Sequence, residues 1–282
     1  MITSNAHRYP VSAQCSILGI ARSVYYFYRD YDPKPRINDD GLSEDVTRVY
    51  KANRSIYGSH KIKKKLDQEG KQVSRRRIVR VMRANGLVSA YTTKKHRPTK
   101  SEPNEAPVPD LVERNFRGRR PLELLVSDLT YICLGNKWAY TCLFLDIANR
   151  EIVGHGAGWN KDARLVKATF ASMDANLYDV DIFHTDRGSE FDNMEIAEIL
   201  DVFGICRSLS RKATPLDNAV SEATFKLYKA EFARREHFNT MEELRLKLSD
   251  YVHWFNNIRI HSTLGYLTPI EFKRRGLMIL SK

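Results

Sequence analysis

Three acidic side chains stand where chemistry could gather. Asp186 closes a short apolar run, Asp181-Ile-Phe-His-Thr-Asp186, and thirty-five residues (187–221) separate it from Glu222, which sits in a lysine-rich helical pattern. Asp128 ends another apolar run, and Asp146 ends a third and is its rival. Two strand ends and one helix can bring three carboxylates to a point, and hard oxygen ligands of that kind suit magnesium, with manganese as a substitute. Two such ions stabilise both the entering and the leaving oxygen of an in-line displacement at phosphorus. At about 100° per residue, Glu222, Phe225, Lys226 and Lys229 fall on one side of their helix, and Val220, Ala223 and Leu227 fall on the side expected to face a core. Lys226 and Lys229 would then meet the phosphates of the strand being cut.

The elements that must position these residues follow from the pattern. Leu122–Ile132, Lys137–Ile147 and Glu151–Gly156 read as successive strands joined by turns short enough for an antiparallel meander. A helix is expected over Asp162–Tyr178, then a strand over Val180–His184, a helix over Asn193–Phe203 and a strand over Ile205–Leu209. Helices over Asn218–Glu236 and Thr240–Asn257 complete the series. Three strands, helix, strand, helix, strand, helix is the order of the ribonuclease-H-like α/β fold, a mixed five-stranded sheet flanked by helices.

Ahead of it lies a different kind of chain. Residues 43–53 read as a helix capped by Ser43, His60–Glu69 as a second stopped by Gly70, and a third runs from a Ser74 cap to Gly86. This small all-α unit resembles a helix-turn-helix. Its last helix carries Arg75, Arg76 and Arg77 in the first turn and Arg80 and Arg83 beyond, which the helix dipole disfavours unless anions compensate. DNA phosphates would compensate. The expected division is an N-terminal helical segment over 1–42, the basic DNA-binding unit over 43–93, a basic proline-rich linker over 94–120 and the catalytic core with its C-terminal helices over 121–282. Lys94, Lys95 and Arg97 open the linker and could track a phosphate backbone, though a plain spacer fits the composition equally.

Charge follows the same division. Residues 1–121 hold 26 Lys and Arg against 12 Asp and Glu, and residues 122–282 hold 20 against 22, so the net +12 of the 282-residue chain belongs to the first part. Between 48 and 100 there are 17 basic residues and two acidic ones, Asp67 and Glu69. Such density is suited to a polyanion, because each neutralised phosphate releases counterions. Cys15, Cys133, Cys142 and Cys206 form no C-x-x-C pair, and no zinc-ligand spacing joins them to the histidines, which points to buried reduced thiols. No apolar run reaches the length of a membrane span and the first ten residues lack a secretory core, so a cytoplasmic protein is expected.

Three segments carry a family likeness: His184-Thr-Asp-Arg-Gly-Ser-Glu-Phe191, Asp217-Asn-Ala-Val-Ser-Glu-Ala-Thr-Phe-Lys-Leu-Tyr-Lys-Ala-Glu231 and Trp254-Phe-Asn-Asn-Ile-Arg-Ile-His-Ser-Thr-Leu-Gly-Tyr-Leu-Thr-Pro269. They closely resemble the DDE integrase core of bacterial insertion-sequence transposases, and more narrowly the second-frame protein of elements whose full enzyme arises by frameshifting. Tyr57-Gly-Ser-His-Lys-Ile62 and Gly19-Ile-Ala-Arg-Ser-Val-Tyr-Tyr26 extend the likeness toward the start, although the family more often has arginines after Gly58. By this resemblance Asp128, in Ser127-Asp-Leu-Thr-Tyr131, is the first family aspartate, Asp186 the second and Glu222 the glutamate; all three are implied catalytic and metal-holding residues. The likeness further implies magnesium, nicking that exposes a 3′-hydroxyl, and attack of that hydroxyl on a second phosphodiester. Implied partners are terminal-repeat and target DNA, further copies of the chain on paired ends, and the upstream-frame protein as a fusion or partner. Retroviral integrases share the core but add a His-His-Cys-Cys zinc module, which this sequence does not display.

Supporting positions have readable duties. Gly188 permits a tight turn after Asp186 and keeps bulk from the metals. His184 either orients a carboxylate or packs at a strand end. Asp217 and Asn218 are expected to cap the helix of Glu222. Arg259 and His261 could hold DNA, with a structural polar network the safer reading. Two other functions share these residues: a nuclease acting on RNA·DNA hybrids, and a non-catalytic regulator derived from a transposase.

Overall fold

The computed structural model describes residues 2–29, 40–92, 109–112, 115–116, 118–210 and 219–276, with the backbone alone at 40, 92 and 219–222. The chain forms two compact units that divide between Ser43 and Glu44. The first contains α1 (Ile2–Asn5), α2 (Val11–Ile17) and α3 (Arg22–Arg29). The division falls inside α4 (Asp40–Ala52), which is followed by α5 (Ser59–Gln68) and α6 (Arg75–Ala84). Ser43 therefore lies within α4 and does not cap it, because the helix begins three residues earlier. Ser74 does cap α6, its hydroxyl accepting from the Arg77 amide. Val46, Val49, Ile62, Leu66, Ile78 and Val81 are among the buried apolar residues of these three helices.

The second unit continues into β1 (Leu124–Leu134), β2 (Lys137–Asp146), β3 (Ile152–Gly158), α7 (Ala163–Ala171), β4 (Ile182–Thr185), α8 (Met194–Phe203), β5 (Cys206–Leu209), α9 (Ala219–Tyr228), α10 (Met241–Asn257) and α11 (Pro269–Arg274). The sheet order is β3-β2-β1-β4-β5. β1 pairs antiparallel with β2 and parallel with β4, and β4 is parallel to β5. This is the ribonuclease-H-like arrangement, with the first strand central. Both ends of the sheet are covered. Along β3, Asn256 of α10 exchanges two 2.9 Å hydrogen bonds with the Ile152 backbone, while Leu209 of β5 donates to the carbonyl of Pro109.

Strand alternation sorts the two faces of the sheet. Leu125 and Leu129 of β1, Cys142 and Phe144 of β2 and Phe183 of β4 face α7 and α8, where they join Leu165, Phe170, Ile196 and Leu200. The rings of Phe144, Phe170 and Phe183 stand 4.6 to 5.0 Å apart and form the centre of this core. α7 can lie close on β3 because Gly156 carries no Cβ; one built there would meet Thr169 Oγ1 at 2.7 Å. α7 stops at Ala171, short of the expected Tyr178, as Ser172 turns its hydroxyl to the Thr169 carbonyl and accepts from the His155 amide. Residues 177–179 make a separate 3-10 turn capped by Asn176. The four cysteines are free; Cys15 and Cys142 are buried as expected, whereas Cys133 and Cys206 are exposed. No described helix is long and apolar enough to cross a membrane.

The three-helix unit packs on the core through residues of the C-terminal helices and the π turn at Lys229–Ala233. Arg54 pairs with Asp250 and Glu236, the Tyr57 hydroxyl accepts from the Ile260 amide at 2.9 Å, and Tyr91 bonds Glu231. Glu231 and Arg259 form the centre of this junction, both buried, with guanidinium nitrogens 2.6 to 3.0 Å from both carboxylate oxygens. Arg259 also contacts the His261 ring at 3.0 Å, so these two residues belong to a structural polar network.

Candidate active site

Asp128 is the fifth residue of β1, opposite Leu143 of β2. The parallel register of β1 with β4 pairs Val126 with His184, and continued two residues it sets Asp128 beside Asp186. Neighbouring strands lie about 4.8 Å apart, so the two residues share one face of the sheet, close enough for the charge of Asp186 to act on Asp128. That face is the one α9 covers. Thr141, opposite Thr130 and in phase with Asp128, accepts a 2.9 Å hydrogen bond from the Tyr228 hydroxyl of α9.

Asp146 serves a different purpose. It pairs with Leu125, three residues from Asp128 and hence on the opposite face of the sheet. Its carboxylate accepts from the Leu122 amide at 3.0 Å and the Ala148 amide at 2.8 Å, fastening the entry of β1 to the end of β2. Burial raises its carboxyl to about 6.

The electrostatics at Asp128 are set first by burial and then by a neighbouring carboxylate. Burial, then the charge of Asp186, pushes its carboxyl up to about 7, and Lys229 and Lys161 pull it only partly back. Asp186 follows β4 directly and accepts from the Gly188 amide at 3.1 Å, while Gly188 in turn accepts from the Phe191 amide at 3.0 Å. The expected turn is present. What the missing Cβ of Gly188 clears, however, is Glu190, whose carboxylate occupies the place where that Cβ would stand. His184 is buried in β4 with Nδ1 2.9 Å from Ser208 Oγ of β5.

Glu222 lies in the first turn of α9, on the same helical phase as Lys229; its side chain is outside the described residues. The inner face of α9 differs from expectation. Phe225, Tyr228 and Phe232 are buried, Ala223 is exposed and Leu227 half-buried. Aromatic rings bury far more area than alanine, and Tyr228 stacks on Phe232 at 5.5 Å. From Lys229 to Ala233 the helix widens into a π turn, which keeps Phe232 inward and holds Lys229 half-buried near Asp128. Lys226 is exposed. On α6, Arg75, Arg76 and Arg80 are exposed and Arg77 half-buried. Asp217, Asn218, Lys94, Lys95 and Arg97 lie outside the described residues.

Two charged residues at the site escaped sequence reasoning. Lys161 had no signal, sitting in a turn between strand and helix. Glu190 had one: an acid inside the His184–Phe191 motif, directly before a buried phenylalanine.

Similarity to known proteins gives the family. Residues 118–215 and 222–277 match models of the integrase core domain, and residues 37–95 match an HTH-like domain. A putative transposase of insertion sequence element IS986/IS6110 from Mycobacterium tuberculosis is 31% identical over 263 residues, spanning 90% of this chain and 95% of that one. The chain belongs to the insertion-sequence transposases. The transposase is also 30% identical over 274 residues to that of element IS629 from Shigella sonnei (95% and 92% covered), and 28% identical over 272 residues to the putative transposase InsK of IS150 from Escherichia coli (96% and 95%). Among solved structures, one chain of a simian T-cell lymphotropic virus intasome aligns over 84% of the transposase and 78% of its own length, at 13% identity and a TM-score of 0.49.

Proposed function

We propose that the transposase nicks the ends of its element and joins the resulting 3′-hydroxyls to target DNA at one site built from Asp128, Asp186 and Glu222. The register that sets Asp128 beside Asp186 carries this reading. Burial, then the charge of Asp186, disfavours the ionised Asp128 carboxyl more than Lys229 and Lys161 restore it, and a hard divalent cation held by these oxygens would supply the missing compensation. Asp128, Asp186 and Glu222 would hold magnesium, which supplies Lewis acidity to the phosphodiester and to the attacking and leaving oxygens.

The chain's own residues do the rest. Lys229 faces the carboxylates and receives phosphate charge, and exposed Lys226 meets the backbone beyond it. Arg75, Arg76 and Arg80 present a cationic face of α6 to element-end DNA, with Arg77, Lys94, Lys95 and Arg97 adding to the grip. The Tyr91–Glu231–Arg259 junction joins that unit to the π turn bearing Lys229, so DNA held by the helices is held in register with the site. Paired ends call for more than one copy of the chain, with the upstream-frame protein as a further contributor.

The test is joining of a labelled terminal-repeat duplex to plasmid DNA. Joining with magnesium and its loss in chelator are expected. Absence of joining together with cleavage of RNA·DNA hybrids would replace this reading with a nuclease.

A further inference from the structure

Lys161 stands in the turn between β3 and α7, one residue before the Asp162 cap, and its Nζ is 3.0 Å from Glu190 Oε1. The two partners differ in exposure. The Glu190 side chain is 2% exposed and the Lys161 side chain 47%. A carboxylate so buried requires a compensating cation, yet apolar packing at position 190 would serve stability as well or better. The carboxylate is also accommodated at the expense of a side chain elsewhere, because it folds back over Gly188 where any Cβ would collide with it.

The consequence is a cation fixed by its partner at the rim of the site. Lys161, Asp162, Ser189, Glu190, Asn193 and Glu195 are among the residues that line a hollow of about 360 Å³, in which Lys161 is the one cation among the described residues. Partial burial works against the Lys161 ammonium, but Glu190, Asp186 and Asp128 together hold its pKa above the ordinary value. An ammonium has three donors, and one carboxylate oxygen occupies one direction.

We propose that Lys161 is a phosphate-positioning residue, anchored by Glu190 so that its half-exposed ammonium holds a DNA backbone phosphate beside the one reacting at Asp128 and Asp186. This rests on the proposed function. Glu190 acts through Lys161, and Gly188 makes room for Glu190.

The experiment measures affinity of the full chain for terminal-repeat duplex in chelator as a function of salt, for the wild type, Lys161→Ala, Lys161→Arg and Lys161→Ala/Glu190→Gln. Loss of one phosphate contact lowers the slope of log K against log salt by about 0.9. That drop is expected in Lys161→Ala, with the wild-type slope retained in Lys161→Arg. Should Lys161→Ala melt early because Glu190 is stranded, the double variant removes the stranded charge and must show the same drop. A wild-type slope in a folded variant lacking Lys161 overturns the proposal. Magnesium-dependent joining by the wild type, run alongside, separates the two readings: its absence removes the catalytic assignment, whereas the slopes report the contact alone.

Discussion

Replacing Glu231 with methionine should strip the junction between the three-helix unit and the core of its charge balance. Arg259 would keep its guanidinium in a site where its side chain is 3% exposed, with no carboxylate to receive it. Breaking a buried pair from one side costs about 3–5 kcal/mol, and the hydroxyls of Tyr91 and Tyr251 lose their acceptor in the same step. Burial alone would raise the Glu231 carboxyl; the charge and hydrogen bonds of Arg259 outweigh it and hold that carboxyl below its usual range. Single domains are stable by about 5–15 kcal/mol, so the variant should lose a large share of its stability. At about 2–4 °C per kcal/mol for a unit of this size, the melting temperature should fall by roughly 10 °C. Glu231→Met, Arg259→Met and the double variant, unfolded by heat and by urea, form a cycle. The double variant should cost no more than either single, a coupling energy of at least about 3 kcal/mol, since an apolar pair of similar volume fits a site closed to water. A loss below about 1 kcal/mol in Glu231→Met, or singles that add to within about 0.5 kcal/mol, would refute this account of the junction.

Other perturbations give distinct signatures. Gly188→Ala should displace the Glu190 carboxylate and destabilise the protein by about 1–3 kcal/mol, measured by urea unfolding; an unchanged midpoint would mean that Glu190 has another place to go. Phe144→Ala removes the centre of the Phe144–Phe170–Phe183 cluster and should cost about 3–5 kcal/mol in the same assay. Lys61, whose pKa burial and then Arg259 lower to about 7, binds its proton more weakly folded than unfolded, so its penalty is full below pH 7 and vanishes as pH rises toward 10.5. Lys61→Met should therefore raise the melting temperature at pH 7, and the gain should shrink in alkaline buffer; a gain independent of pH would assign it to packing.

Much of the core was legible because local chemistry and tertiary structure agree. Ser74, Asn193 and Thr240 cap the helices their positions announce, each accepting from the amide three residues on. Apolar runs marked the strands, and their order announced the sheet. Long-range fit was not legible. The apolar runs alone do not distinguish Asp146 from Asp128; the family likeness around Ser127–Tyr131 favours Asp128, and only the register shows that the two lie on opposite faces of the sheet. Helical phase alone misassigned the inner side of α9, since ring size and the π turn decide which residues face the sheet. Lys161 and Glu190 lie 29 residues apart (190 − 161) and meet only through the folded turns beside the site.

The central claim is that Asp128, Asp186 and Glu222 act together in strand joining while the basic helices bind DNA. Asp128→Asn, Asp186→Asn and Glu222→Gln should each reduce magnesium-dependent joining of a terminal-repeat duplex to background, with affinity for that duplex in chelator not weakened. Joining at the wild-type rate by any one of the three would contradict it.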